Sequence, residues 1–199
     1  MSCQDEIMKK ILRAPHGTGF TASDFADVAE PRTVGKSLER LAAAGKIRRV
    51  MRGVYDRPRY SELLQEYEAP SPAGIADALA RNYHWTIVPS GQIVLNQLGL
   101  STQVPAAWTF VSDDPYKSYQ IGSITLRFKH SANRNITGMS LKSAMVIRAL
   151  KELGQDNVQD RVVAKLRSQL THDEKQRLYR ESQRATAWMR PVIKKICEE

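Results

Sequence analysis

The feature that most restricts how this chain can fold is a stretch of 31 residues, Asn82 to Ser112, without a single Asp, Glu, Lys or Arg. Charged residues make up 26% of the whole, so a run of this length belongs either in a protein interior or in lipid. A membrane span needs about 20 predominantly apolar residues in one helix. Pro89, Gly91, Gln92, Asn96, Gln97 and Gly99 interrupt any such helix here. The run is therefore read as the buried heart of a folded domain, and no membrane partner is expected. The amino terminus, MSCQDEIMKK, has no apolar core behind its charges, so it is not read as a signal peptide and a cytoplasmic location is expected.

Charge supplies the second constraint. Thirty Lys and Arg against 21 Asp and Glu leave a net charge of +9. The first sixty residues carry 12 cations and 7 anions, concentrated in favour of the cations between Lys46 and Arg59. Such a balance favours a polyanionic partner, nucleic acid before an anionic surface.

Periodicity organises the chain into two parts. Ile7, Met8, Ile11 and Leu12 form a helical stripe that ends at His16-Gly17-Thr18-Gly19. Thr21 and Asp24 have capping-box spacing, with Phe20 and Phe25 placed as a staple, and predict a short helix to Ala29. Pro31 suits the first position of a third helix that runs to Ala44, where Gly45 stops it. Ile47, Val50 and Val54-Tyr55 predict a hairpin bent around Arg52-Gly53. Beyond the locally acidic SELLQEYEAPSP, Ser71-Pro72 caps a further helix. Strands are expected at Trp85–Val88, Trp108–Val111 and Ile124–Phe128, with helices from Ser140 and a last long one opening at Thr171-His172-Asp173-Glu174. The fold class expected is α+β: an N-terminal winged helix-turn-helix domain over residues 1–60, a linker over 61–72, and a mixed α/β domain over 73–199 that ends in a helical segment.

The third helix is the most informative segment. Val34, Leu38 and Leu41 fall in one sector, while Arg32, Lys36 and Arg40 recur every four residues on the other side, flanked by Thr33 and Ser37. Cations with small hydroxyls suit a major groove, where Arg reads guanine and hydroxyls reach phosphates or base edges. The following hairpin adds Arg48, Arg49 and Arg52, placed to reach phosphates or a minor groove. A solvated helix face and a charge-protected edge strand are the plain alternatives; the order of elements tips the reading to double-stranded DNA. A third basic face, from Arg177, Arg180 and Arg184 with Arg161 and Lys165, reads as a solvated surface.

Chemistry is sparse by comparison. His16, His84, His130 and His172 show no metal-ligand spacing, and Cys3 and Cys197 are too few for a zinc site or a disulfide scaffold. Gly17-Thr18-Gly19 is neither a P-loop nor a dinucleotide fingerprint. Gly122-Ser123 could open a nucleotidyltransferase signature, but Ile124 to His130 carries no carboxylates to hold Mg²⁺. No enzyme activity, no metal and no cofactor are expected.

The hairpin sequence Gly45-Lys46-Ile47-Arg48-Arg49-Val50 to Arg52-Gly53-Val54-Tyr55 resembles the N-terminal domain of AbiEi-type antitoxins from type IV (abortive infection) toxin–antitoxin systems. The stretch Ile87-Val88-Pro89-Ser90-Gly91 through Leu95-Asn96-Gln97-Leu98-Gly99-Leu100-Ser101 resembles their second domain. The resemblance implies an autorepressor that binds inverted repeats at its own promoter. It also implies a cognate nucleotidyltransferase-like toxin, neutralised with or without a stable complex. By position, the DNA contacts it implies are those of the third helix and the hairpin. The alternative is a ligand-sensing winged-helix transcriptional regulator.

Overall fold

A computed structural model of the chain describes residues 2–114, 116–131 and 138–198, with Pro115 and the Arg184 side chain outside that set. The fold is mixed α and β, and it divides into two compact units: Met1–Trp85 with Gln120–Leu126, and Thr86–Tyr119 with Arg127–Glu199.

In the first unit, α1 (Cys3–Arg13) opens on a reciprocal cap. Ser2 N–H donates to Asp5 Oδ2 at 2.9 Å and Asp5 N–H donates to Ser2 Oγ at 3.2 Å. Strand β1 (Gly19–Phe20) leads into the Thr21 cap, where Thr21 N–H donates to Asp24 Oδ2 at 2.7 Å. The cap produces one 3-10 turn, Ala22–Phe25, rather than the expected helix to Ala29. Phe20 and Phe25 meet with ring centroids 5.9 Å apart. Helix α2 (Pro31–Ala43) begins at proline and ends where Gly45 turns left-handed, at φ +68°. Lys46 N–H then donates to Leu41 O and Gly45 N–H to Ala42 O, each at 3.0 Å, which satisfies the last carbonyls. Strands β2 (Arg48–Met51) and β3 (Val54–Asp56) follow, and β3 is central in an antiparallel sheet of order β1-β3-β2. Ile7, Ile11, Phe25, Val34, Leu38 and Leu41 fill the core between these elements.

Residues 61–72 are not a bare linker, and the first unit runs past them. Strands β4 (Tyr60–Ser61) and β5 (Glu66–Tyr67) pair into a small antiparallel hairpin. Helix α3 (Pro72–Tyr83), capped by Ser71 as expected, packs on β1. Three glycines allow that approach: a Cβ on Gly74 would lie 1.7 Å from Gly17 O, and one on Gly19 would lie 2.6 Å from Gly74 O. Arg81 closes the contact, its Nε donating to Asp24 Oδ1 at 2.7 Å and its Nη2 to Gly19 O at 2.8 Å.

The second unit holds much of the uncharged run. Strand β6 (Ile87–Ser90), α4 (Gln92–Gln97) and β7 (Trp108–Ser112) come from it, with β6 antiparallel to β7 from Ile87↔Ser112 to Ser90↔Thr109. Strands β8 (Lys117–Ile121) and β9 (Ile124–His130), of which Gln120–Leu126 group with the first unit, belong to a sheet of order β6-β7-β9-β8. Helices α5 (Leu141–Leu153), α6 (Asp160–Ser168), α7 (His172–Glu181) and α8 (Met189–Cys197) follow. Val94 and Leu98 from the uncharged run join Val146, Leu150, Leu166, Leu178 and Ile193 in one core. The expected last long helix is two: α7 passes into a 3-10 turn at Ser182–Arg184, and α8 starts afresh with Pro191 in its first turn, where proline is tolerated.

Two carboxylates tie these elements together. Ser90 Oγ donates to Glu152 Oε1 at 2.9 Å and accepts from Arg148 Nε at 3.0 Å. Glu181 Oε2 accepts from Ser140 N–H at 3.0 Å and Ser140 Oγ at 2.9 Å, pinning the start of α5.

Candidate nucleic-acid interface

Helix α2 presents two chemically distinct faces. Val34, Leu38 and Leu41 are buried against α1 and the 3-10 turn, and this packing fixes the helix's rotation. Arg32, Thr33, Lys36 and Arg40 are therefore exposed, and Glu39 is exposed among them. Neither Arg32, Lys36 nor Arg40 makes a side-chain hydrogen bond or ion pair with any described residue. The helix begins without a side-chain cap and without an acid in its first turn. Its N-cap residue is Glu30, which places a carboxylate at the partial positive end of the helix.

Ser37 does not belong to this face. It is 4% exposed, and its Oγ donates to Cys3 Sγ of α1 at 3.5 Å. The spacing from Val34 to Ser37, three residues and under one helical turn, places it on the core side; that signal was present in the sequence.

The hairpin divides its cations by role. Arg49 and Arg52 are exposed on the edge strand and its tip, where Gly53 takes φ +77° to make the turn. Arg48 sits across from the buried Asp56 and is held by it: Nε donates to Oδ1 at 2.9 Å and Nη2 to Oδ2 at 2.5 Å. Its remaining Nη1 donates to Glu68 O at 2.9 Å. Arg48 thus neutralises an interior carboxylate and anchors the β4–β5 hairpin, with each of its three guanidinium nitrogens engaged. Opposite Arg49, the buried Tyr55 hydroxyl has its pKa raised by burial.

Two cations outside the expected set belong to the same unit. Lys46 is exposed between α2 and β2, and Arg57 follows β3 with Nη2 3.5 Å from His16 Nε2. Arg57 stood within the basic stretch that ends at Arg59. Its pairing with His16 joins positions far apart in the chain, and no local pattern encodes that.

Among the described residues, no cluster of three or more His, Cys, Asp or Glu is placed to hold a metal ion. No helix among them is long and apolar enough to cross a membrane. A comparison with curated proteins found no match. Residues 6–178 match a family model that spans most of the chain, and the protein belongs to that family, a family of unknown function (DUF6088).

Proposed function

We propose that this protein is a DNA-binding autorepressor and antitoxin of the type IV class, acting in the cytoplasm, with no catalytic role of its own. One observation carries the DNA-binding half. The cations Arg32, Lys36, Arg40, Arg49 and Arg52 are exposed and make no side-chain hydrogen bond or ion pair with any described residue, on a helix and an adjoining hairpin whose other faces are buried. The order α1, β1, 3-10 turn, α2, β2, β3, with β1 and β2 flanking β3, supports reading this part of the chain as a winged helix-turn-helix. In that reading α2 is the recognition helix and β2–β3 the wing. The antitoxin half rests on the resemblance of residues 45–55 and 87–101 to AbiEi-type antitoxins.

The test is an electrophoretic titration of the full chain on the promoter of its own operon and on random duplex. Arg49→Ala with Arg52→Ala should weaken both complexes alike, because phosphate contacts carry no sequence information. Arg32→Ala with Lys36→Ala should weaken the promoter complex more than the random one. Wild-type binding by both variants would sink the reading. Growth rescue on co-expression with a neighbouring nucleotidyltransferase-like toxin tests the antitoxin half separately.

A further inference from the structure

Helices α7 and α8 enclose a groove with a cavity of about 360 Å³. Every residue lining it belongs to those two helices or to the cap of α8, so the second unit builds it alone. Leu178, Ile193 and Ile196 of the same helices are buried in the core of that unit, and the shape of the groove rests on their packing. Cys197 Sγ donates to Lys175 O at 3.3 Å and joins the two helices within the groove. A cavity of this size, formed by packed helices, is in the range that holds small molecules.

Its walls are largely apolar, supplied by the Tyr179 ring, Cys197 and the methylene stems of Lys175 and Lys194. Most of its polar groups are already engaged. Lys194 Nζ lies 3.9 Å from Glu198 Oε1, a pair one turn apart on α8. Gln176 Nε2 donates to His172 Nε2 at 2.8 Å. Lys175 differs: its ammonium makes no hydrogen bond or ion pair with any described residue. Burial raises the pKa of the Cys197 thiol and the Lys175 charge opposes that rise, so the charge is felt inside the groove.

An apolar cavity with one unpaired cation suits a ligand with an apolar body and a single negative end. A dianion would find no second cation, because Lys194 is held by Glu198. A neutral ligand would cover the ammonium and leave it without a counter-charge, at a cost in desolvation. We propose that the α7–α8 groove binds an apolar monocarboxylate, its body against Tyr179 and Cys197 and its carboxylate on Lys175. The proposal is independent of the DNA-binding and antitoxin readings.

Octanoate, octanol and octylamine share one apolar body and differ in the charge of its end. Titrated calorimetrically into the full chain, octanoate should bind about tenfold tighter than octanol, with octylamine weakest. Lys175→Met keeps an apolar stem and removes the charge; it should bring octanoate down to the level of octanol and leave octanol unchanged, which also shows that the groove is intact. Lys175→Arg should keep the preference for the carboxylate. Tyr179→Ala should weaken octanoate and octanol alike, with the circular dichroism of the wild type. With Cys3→Ser removing the other thiol, saturating octanoate should slow alkylation of Cys197 by iodoacetamide several-fold. No binding of octanoate at about 10 mM, octanol bound as tightly, a Lys175→Met variant that still prefers the carboxylate, or alkylation indifferent to octanoate overturns the proposal.

Discussion

At the residue scale, three arginines of one short hairpin have different work, and burial separates them. Arg48 compensates Asp56, whose side chain is 7% exposed. Removing one partner of a buried ion pair costs about 3 kcal/mol, because the other charge stays behind unpaired. Arg48→Ala should therefore lower the midpoint of urea denaturation. Arg49→Ala and Arg52→Ala, both exposed, should leave it in place and act on DNA binding alone. Gly74 offers a second residue-scale test. Its added methyl would overlap Gly17 O at 1.7 Å, and backbone cannot rotate aside as a side chain can. Gly74→Ala should destabilise the first unit by about 2–3 kcal/mol, read as a lower melting temperature. A variant as stable as wild type would refute the close packing of α3 on β1.

At the scale of elements, the second unit depends on two carboxylates that bridge its parts. Burial pushes the Glu152 carboxyl up, but the Ser90 hydroxyl, the Arg148 charge and the Gly91 N–H outweigh it and hold it below its ordinary 4.5. For Glu181 burial again opposes, and hydrogen bonds from Ser143 and Ser140 with the Arg177 charge again win. A folded-state pKa below the unfolded value means stability that is complete above the unfolded value and lost as pH falls through the folded one. Urea midpoints should thus fall on acidification from about pH 6 to about pH 3. Glu181→Gln and Glu152→Gln should each show a shallower fall, starting from a lower midpoint. An equal pH slope in the variants would remove these carboxylates from the account.

At the scale of the whole molecule, the count of 30 Lys and Arg overstates the cations that the proposed DNA contact could use. Arg48 is spent on Asp56, Arg81 on Asp24, Lys10 on Asp27 and Arg148 on Glu152. Five exposed cations remain on α2 and the β2–β3 hairpin. Each neutralised phosphate adds about 0.9 to the log–log salt slope, so one copy on random duplex should show a slope no steeper than about −4 to −5. Arg49→Ala with Arg52→Ala should take close to 2 from it, at about 0.9 per contact. A slope unchanged in that variant would assign the phosphate contacts to another surface.

What the sequence determined by itself is what is encoded within a turn or two of chain. Pro31 and Gly45 delimit α2 to within one residue, Ser71 and Ser140 start their helices, and Arg52-Gly53 bends the hairpin where expected. The uncharged run was legible as interior because desolvating a charge is costly wherever it occurs. Tertiary structure alone decided the rest. It reduced the Thr21 cap to a single 3-10 turn and drew Gly19–Phe20 into a strand through pairing with Tyr55 and Asp56. It made glycines that looked like a loop into the floor on which α3 rests, and so moved the edge of the first unit from the expected linker to Trp85. It set Arg48 apart from its neighbours, since only the partner strand supplies Asp56. Caps and turns involve groups a few residues apart, whose geometry the local backbone dictates. Strand partners, close helix approaches and buried ion pairs join groups brought together only once the core has formed, and their energies belong to that core.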